Sequence, residues 1–236
     1  MKAIELHLDY FQIYNLIEPI SLVRRLRPDA RICKLKDQFD EEPVKSNVEA
    51  LWKFADRVSK NEEPLYDKNA HLTIYRLKRP ETVVMRRVSV ANQFNHEEPQ
   101  EFFTREVLGL MVPARKRFAR RAFTDETELD HYKIYRIVEA KPVETLVNLE
   151  DQFGRRETTV HHPVLFALPV WKKREKEYPI INEEAHLTIY AVNGMELKPI
   201  VIDILDQFFP SKPLRLKMDI SLLLAVPSKK LDWEKI

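Results

Sequence analysis

The chain has 236 residues, 44% of them hydrophobic and 10% aromatic. That is enough apolar side chain to bury a core, which excludes wholesale disorder. Its 39 basic and 37 acidic residues nearly cancel, so no global field draws it onto nucleic acid or anionic lipid.

The first nine residues, Met1 to Asp9, carry acids where a signal peptide needs an apolar run. One cysteine, Cys33, rules out an internal disulfide. No apolar stretch approaches the roughly 18 residues of a spanning helix. A soluble, cytoplasmic protein is expected, unless a leader was removed. Tyr10-Phe11-Gln12-Ile13-Tyr14 comes next, and Asp37-Gln38-Phe39 closes the following segment. Both elements return. His71-Leu72-Thr73-Ile74-Tyr75 precedes Asn92-Gln93-Phe94, and His131-Tyr132-Lys133-Ile134-Tyr135 precedes Asp151-Gln152-Phe153. His186-Leu187-Thr188-Ile189-Tyr190 precedes Asp206-Gln207-Phe208. The tripeptides are spaced by 55, 59 and 55 residues, and each histidine lies 20 or 21 residues before its Asx. From Tyr10 the interval is 27, which points to an insertion over 24–29.

A third element follows each tripeptide: Leu110 to Lys116, Ala167 to Lys173 and Leu224 to Lys230, each with a proline and a basic end. Its first copy, around Leu51 to Ala55, matches poorly and lacks the proline. A fixed step of this size marks an array of similar structural units. Four units are predicted: 1–66 (degenerate), 67–124, 125–180 and 181–236. Each holds segment a (His-x-x-Ile-Tyr), segment b (ending in Gln-Phe) and segment c.

Segments a and b read as strands, short and rich in Ile, Val, Tyr and Thr. Asn193-Gly194 predicts a hairpin between them in the last unit. The links Lys78–Glu81 and Glu139–Pro142 carry proline, which suits a turn. Val143, Thr145, Val147 and Leu149 alternate with Glu144, Leu146, Asn148 and Glu150. Turn residues follow Gln-Phe at Gly154, at Phe209-Pro210 and at Asn95-His96-Glu97. Each unit is most simply a three-stranded antiparallel meander. Locally, residues 47–56 read as a capped helix turn, but the repeat is expected to override that propensity. The predicted fold is all-β, four tandem pseudo-symmetric units closed as a propeller-like ring or as two packed sandwich or barrel pairs.

These signatures resemble an uncharacterised family of repeated β modules found in archaeal and bacterial, often secreted, multidomain proteins. Its pattern runs His-x-x-Cys-Tyr, then Val-x-Val-x-(Asp/Asn)-Gln-Phe-Gly, then Leu-Cys-x-Pro-(Ser/Val)-x-Lys. His186 to Tyr190, Ile200 to Phe208 and Leu224 to Lys229 follow it closely. Ile74, Ile134 and Ile189 stand where the family has its segment-a cysteine, and Ala167 and Ala225 where it has the segment-c cysteine. If those cysteines pair in secreted relatives, the resemblance implies that apolar packing replaces each bridge here, as suits a reducing compartment. The resemblance implies a fold and carries no activity.

Three constellations could carry chemistry. His71, His131 and His186 could converge on a transition metal if the units surround an axis; hydrogen bonding of each imidazole to a neighbouring strand is the simpler reading. Asp37, Asp151 and Asp206, with Asn92, could hold a hard cation. The Asn favours a structural reading for all four tripeptides: the Asx oxygen caps the turn, Gln38, Gln93, Gln152 and Gln207 bond backbone, and Phe39, Phe94, Phe153 and Phe208 anchor the core. Arg115, Lys116, Arg117, Arg120 and Arg121, with Lys172 and Lys173, could line a phosphate-binding rim, although nearby acids suit a solvated, ion-paired edge. His161-His162 reads as a loop feature, and Cys33 as a buried apolar thiol. Sequence motifs for phosphate loops, nucleophile elbows and zinc proteases are missing. The expectation is a non-catalytic structural or binding repeat protein, or a subunit of a larger assembly, with no cofactor. Its partner would be a protein or another copy of itself. A polyanion- or nucleic-acid-binding module and a metal-dependent enzyme are the alternatives.

Overall fold

A computed structural model describes residues 6–78, 83–95, 98–119 and 121–236. The chain is all-β. Its strands are β1 (Tyr10–Ser21), β2 (Ile32–Lys36), β3 (Val44–Lys60), β4 (His71–Leu77), β5 (Arg86–Ala91), β6 (Gln100–Phe118) and β7 (Tyr132–Val138). They continue with β8 (Thr145–Asp151), β9 (Gly154–Pro169), β10 (Trp171–Lys173), β11 (Glu177–Tyr178), β12 (His186–Asp206) and β13 (Phe209–Lys235). One 3-10 turn, Asp29–Arg31, lies between β1 and β2. Hydrogen-bonded turns from Leu22 lead to it, at the place of the longer first interval.

At the centre, long strands alternate with the signature strands and close on themselves. β1 pairs with β3, β3 with β4, β4 with β6 and β6 with β7. β7 pairs with β9, β9 with β12, β12 with β13, and β13 returns to β1. All these pairings are antiparallel. A closed sheet leaves no edge open to further strands.

Residues two apart share a face of a strand, and this sorts each signature segment. Phe11 and Ile13, Leu72 and Ile74, Tyr132 and Ile134, and Leu187 and Ile189 join Ala55, Met111, Ala167 and Ala225 in one buried cluster inside the ring. Tyr14, Tyr75, Tyr135 and Tyr190 belong to three other clusters outside it. In register, Ile134 faces Ala167 and Ile189 faces Ala225. These are the cysteine positions of the resembling modules, so an apolar cross-strand pair occupies each place.

The b segments cover the outside. β2, β5, β8 and the second half of β12 each form a hairpin with the strand that follows. The other edge of each b segment reaches across the molecule: β2 to β10, β5 to the end of β13, β8 to the end of β3, and β12 to the end of β6.

Three expectations are corrected. The meander a–b–c does not form, because the long c strands pair with b along their first part and with a along their second. The Asn193-Gly194 hairpin is absent; β12 runs through both residues. Gly194 is close-packed there: an added Cβ would lie 2.4 Å from Leu222 Cδ2, the end of a flexible side chain that would have to shift. After the third and fourth tripeptides the chain does not turn. Asp151 already pairs with Gly154 and Asp206 with Phe209, so Gln-Phe is itself the loop. β6 and β13 run through Pro113 and Pro227 into their basic ends, while β9 stops at Pro169. Residues 47–56 lie within β3, where pairing on both sides overrides the local helical pattern. The link 79–82 and the pair His96-Glu97 lie outside the described residues.

Candidate functional site

The four Asx-Gln-Phe tripeptides adopt one geometry. In each, the Asx Oδ1 accepts the backbone N–H of the Phe two residues on: Phe39 to Asp37 (2.8 Å), Phe94 to Asn92 (2.9 Å), Phe153 to Asp151 (2.8 Å) and Phe208 to Asp206 (2.9 Å). This Asx turn needs only local residues.

The second Asx atom reaches across the molecule to a signature tyrosine. Tyr135 donates to Asp37 at 2.8 Å and Asn92 Nδ2 donates to Tyr190 at 2.9 Å. The Tyr14 hydroxyl donates to Asp151 and that of Tyr75 to Asp206. The pattern joins the first tripeptide to the third signature strand and the third to the first; the second and fourth exchange likewise. Each Phe packs on the same tyrosine, with centroids 4.7–5.4 Å apart. Phe39 and Phe208 are buried, whereas Phe94 and Phe153 are half-buried.

The third residue of three signature segments tunes the same contact. Thr73 donates to Asp206 (2.8 Å), the Lys133 ammonium lies 3.1 Å from Asp37, and Gln12 bonds Tyr14. Burial pushes the Asp206 carboxyl up, offset by Tyr75, Thr73 and the turn amides. Burial also raises Asp37, offset first by Lys133. The Tyr75 phenol is raised well above its usual value by burial and by the charge of Asp206, and Tyr190 is pushed up by burial to about 12. These phenols stay protonated donors at neutral pH.

A second constellation recurs at four corners of the ring. Each contains the first residue of a signature segment, a lysine near the end of the next long strand, and the Gln of the following tripeptide. The sets are Tyr10, Lys60 and Gln93; His71, Lys116 and Gln152; His131, Lys172 and Gln207; and His186, Lys230 and Gln38. At the first, Lys60 bonds Glu63 at 2.6 Å and lies over the Tyr10 ring, 5.3 Å from its centroid. At the fourth, His186 Nδ1 is 2.8 Å from the Glu184 carbonyl, and its Nε2 is 3.4 Å from Gln38 Oε1.

The second corner holds a carboxylate. Asp56, in register with His71, accepts from Lys116 Nζ at 2.8 Å and Gln152 Nε2 at 3.0 Å, and lies 2.9 Å from His71 Nδ1. Asp56, His71 and Lys116 are all buried. Burial alone would raise the Asp56 carboxyl, but His71 and Lys116 hold it below the ordinary value. Burial lowers both cations' pKa values, and Asp56 restores part of each.

The third corner has the same donors and no such carboxylate. Lys172 is fully buried, its Nζ has no hydrogen-bond partner, and it sits 4.0 Å from the Tyr178 ring centroid. Burial lowers its pKa to about 7. His131 is buried, and burial, then the Lys172 charge, hold its pKa well below 6.5. Cys33 is a free, buried thiol nearby, raised by burial to about 11.

The histidines therefore occupy separate corners. Among the described residues no group of three or more His, Cys, Asp or Glu side chains is placed to hold a metal ion. Of the basic residues, Lys116 and Lys172 are buried inside corners and Arg117 pairs with Asp203 at 2.8 Å. Arg115 Nε donates to the Thr124 carbonyl at 2.8 Å, Lys173 pairs with Glu177 at 3.2 Å, and Arg121 is exposed. Arg120 lies outside the described residues. Asp56 was not singled out in the sequence. Nothing in the segment Leu51 to Val58, which also carries Lys53 and Arg57, marks it out.

Residues 71–227 match a family model described as a repeat of unknown function, DUF7450. The chain belongs to this family. The match covers about two-thirds of its length and begins at His71, so the degenerate first copy precedes it. No curated protein and no solved structure matches the chain. Among the described residues no helix is long and apolar enough to cross a membrane.

Proposed function

We propose that the chain is a non-catalytic structural or binding repeat protein, built from four copies bounded at 1–66, 67–124, 125–180 and 181–236. One observation carries this reading. The residues common to the copies are spent on one another: every Asx caps its own turn and bonds a tyrosine two copies away, and the Phe packs on that tyrosine. A catalytic set shared by the copies would instead leave groups free to meet a substrate.

The partner is a protein or a second copy, in a reducing compartment, where an apolar Ile–Ala pair needs no bridge. Chemical cross-linking in native cells, read by mass spectrometry, should return a recurrent partner at fixed contact residues. Light scattering of the purified chain separates self-assembly from a foreign partner. Saturable binding of single-stranded DNA that falls steeply with salt would replace this reading with the polyanion alternative. Stoichiometric metal in the purified protein would replace it with the metal-dependent one.

A further inference from the structure

The second and third corners make an internal comparison. At the second, Lys116 and Gln152 donate to the Asp56 carboxylate, and His71 Nδ1 lies 2.9 Å from it. At the third, the equivalent side chains are present: Lys172 Nζ and Gln207 Nε2 have no hydrogen-bond partner, and His131, whose Nε2 also lacks one, lies beside Gln207. Buried donors such as the Lys172 ammonium and the Gln207 amide are normally satisfied, so the two together call for an acceptor. Strand register shows what has changed. Asp56 stands opposite His71 on the strand before it, and the residue in that place beside His131 is Val112, one step on from the Met111–Tyr132 pair.

Val112 does not fill the space. It lines a cavity of about 470 Å³, together with His131, Gln207 and Tyr178. Lys172 is not in its wall; its Nζ sits 4.0 Å from the centroid of the Tyr178 ring, which is part of that wall. The rest of the wall is largely apolar, with Leu129, Ile181, Leu205 and Pro210. Charged groups also border it: Arg115 and Lys176, against Glu126 and Glu128, both exposed, and Asp206, whose oxygens are already held by Tyr75, Thr73 and the turn amides. Mixed charges at the edge disfavour a multiply charged ligand. An apolar wall with a few convergent polar groups is the composition of a small-molecule site.

We propose that this cavity binds a small organic acid, one carboxylate on an apolar body, whose carboxylate takes the place that Asp56 fills at the second corner. The carboxylate accepts from His131 and Gln207 and faces the Lys172 charge, while the body lies against Leu129, Ile181 and Leu205. The site is independent of the scaffold role and stands or falls separately from it.

Hexanoate is a suitable probe, with 1-hexanol as the same body without the charge and inorganic phosphate as charge without the body. By titration calorimetry, hexanoate should bind at least tenfold more tightly than either control. Val112→Asp supplies the carboxylate from within and should weaken hexanoate at least tenfold. Lys172→Met removes a buried cation that lacks a partner; it should leave the fold intact, weaken hexanoate about tenfold and leave hexanol unchanged. It decides the matter if the Asp variant does not fold. Hexanoate binding no better than hexanol, or undiminished in Lys172→Met, overturns the proposal.

Discussion

Replacing Tyr75 by Phe tests whether the Asx–tyrosine ties hold the ring and its hairpins together. The substitution deletes one hydroxyl from a fully buried side chain and keeps its packing on Phe208. The lost bond goes to Asp206, a buried carboxylate that retains Thr73 and the amides of Phe208 and Phe209. A hydrogen bond to a charged group contributes about 1.5–3 kcal/mol. The matched change Tyr190→Phe deletes a bond to the neutral amide of Asn92, which keeps Ser228 as a second partner. A neutral bond contributes about 0.5–1.5 kcal/mol. Tyr75→Phe should therefore be the more destabilising of the two by about 1 kcal/mol. At roughly 2–4 °C per kcal/mol for a chain of this size, it should lower Tm by about 3–12 °C. Urea unfolding is the assay, with the midpoint displaced and the slope unchanged. Asp206→Asn keeps the turn-capping oxygen, as Asn92 does naturally, so the double variant Tyr75→Phe/Asp206→Asn should cost less than the sum of the singles. Equal costs for Tyr75→Phe and Tyr190→Phe, or strict additivity in the double variant, refute the reasoning.

Asp56→Ala should cost about 3–5 kcal/mol, because it strands Lys116 and His71 as buried groups without their partner. Adding Lys116→Met should recover part of that loss in the same urea series. Acid should weaken the fold through His186, whose pKa burial lowers from 6.5 to about 4. The unfolded chain takes up that proton first, so stability is full above about pH 6.5 and falls as pH drops towards 4, by up to about 3 kcal/mol from the 1.36 kcal/mol per unit. Stability measured across that range should flatten in a His186→Gln variant. Ile189→Cys with Ala225→Cys should form a disulfide under mild oxidation, since the two positions face each other in register; free thiols after air oxidation, by thiol titration, would show that the strands do not meet this way.

Much of the fold was legible because it is local. Alternation in Val143 to Glu150 states a strand with one buried face, and Val147 and Leu149 are buried while Leu146 is exposed. The Asx turn is also local, since its donor lies two residues from its acceptor. The Asn193-Gly194 signal misled because glycine serves close packing as readily as a turn, and the contact with Leu222 decides which. Lys116 and Lys172 read as surface charge because a basic run carries no mark of the strand that will cover it. Their places, Lys116 on the far end of β6 and Lys172 on β10 against β2, exist only in the pairing.

By itself the sequence determined the module: strand-forming segments, the capped turn, and an aromatic anchor, copied at a fixed step. These depend on neighbours within a few residues, so a single stretch contains the cause. Only the tertiary structure decided the ring, the exchange of tyrosines between alternate segments, and the difference between the second and third corners. Tyr75 and Asp206 are 131 residues apart, and Lys116 and Asp56 are 60 apart. No local rule links residues at that distance; the antiparallel closure of the sheet brings them together and leaves His131 and Gln207 in the wall of a cavity, with Lys172 close by.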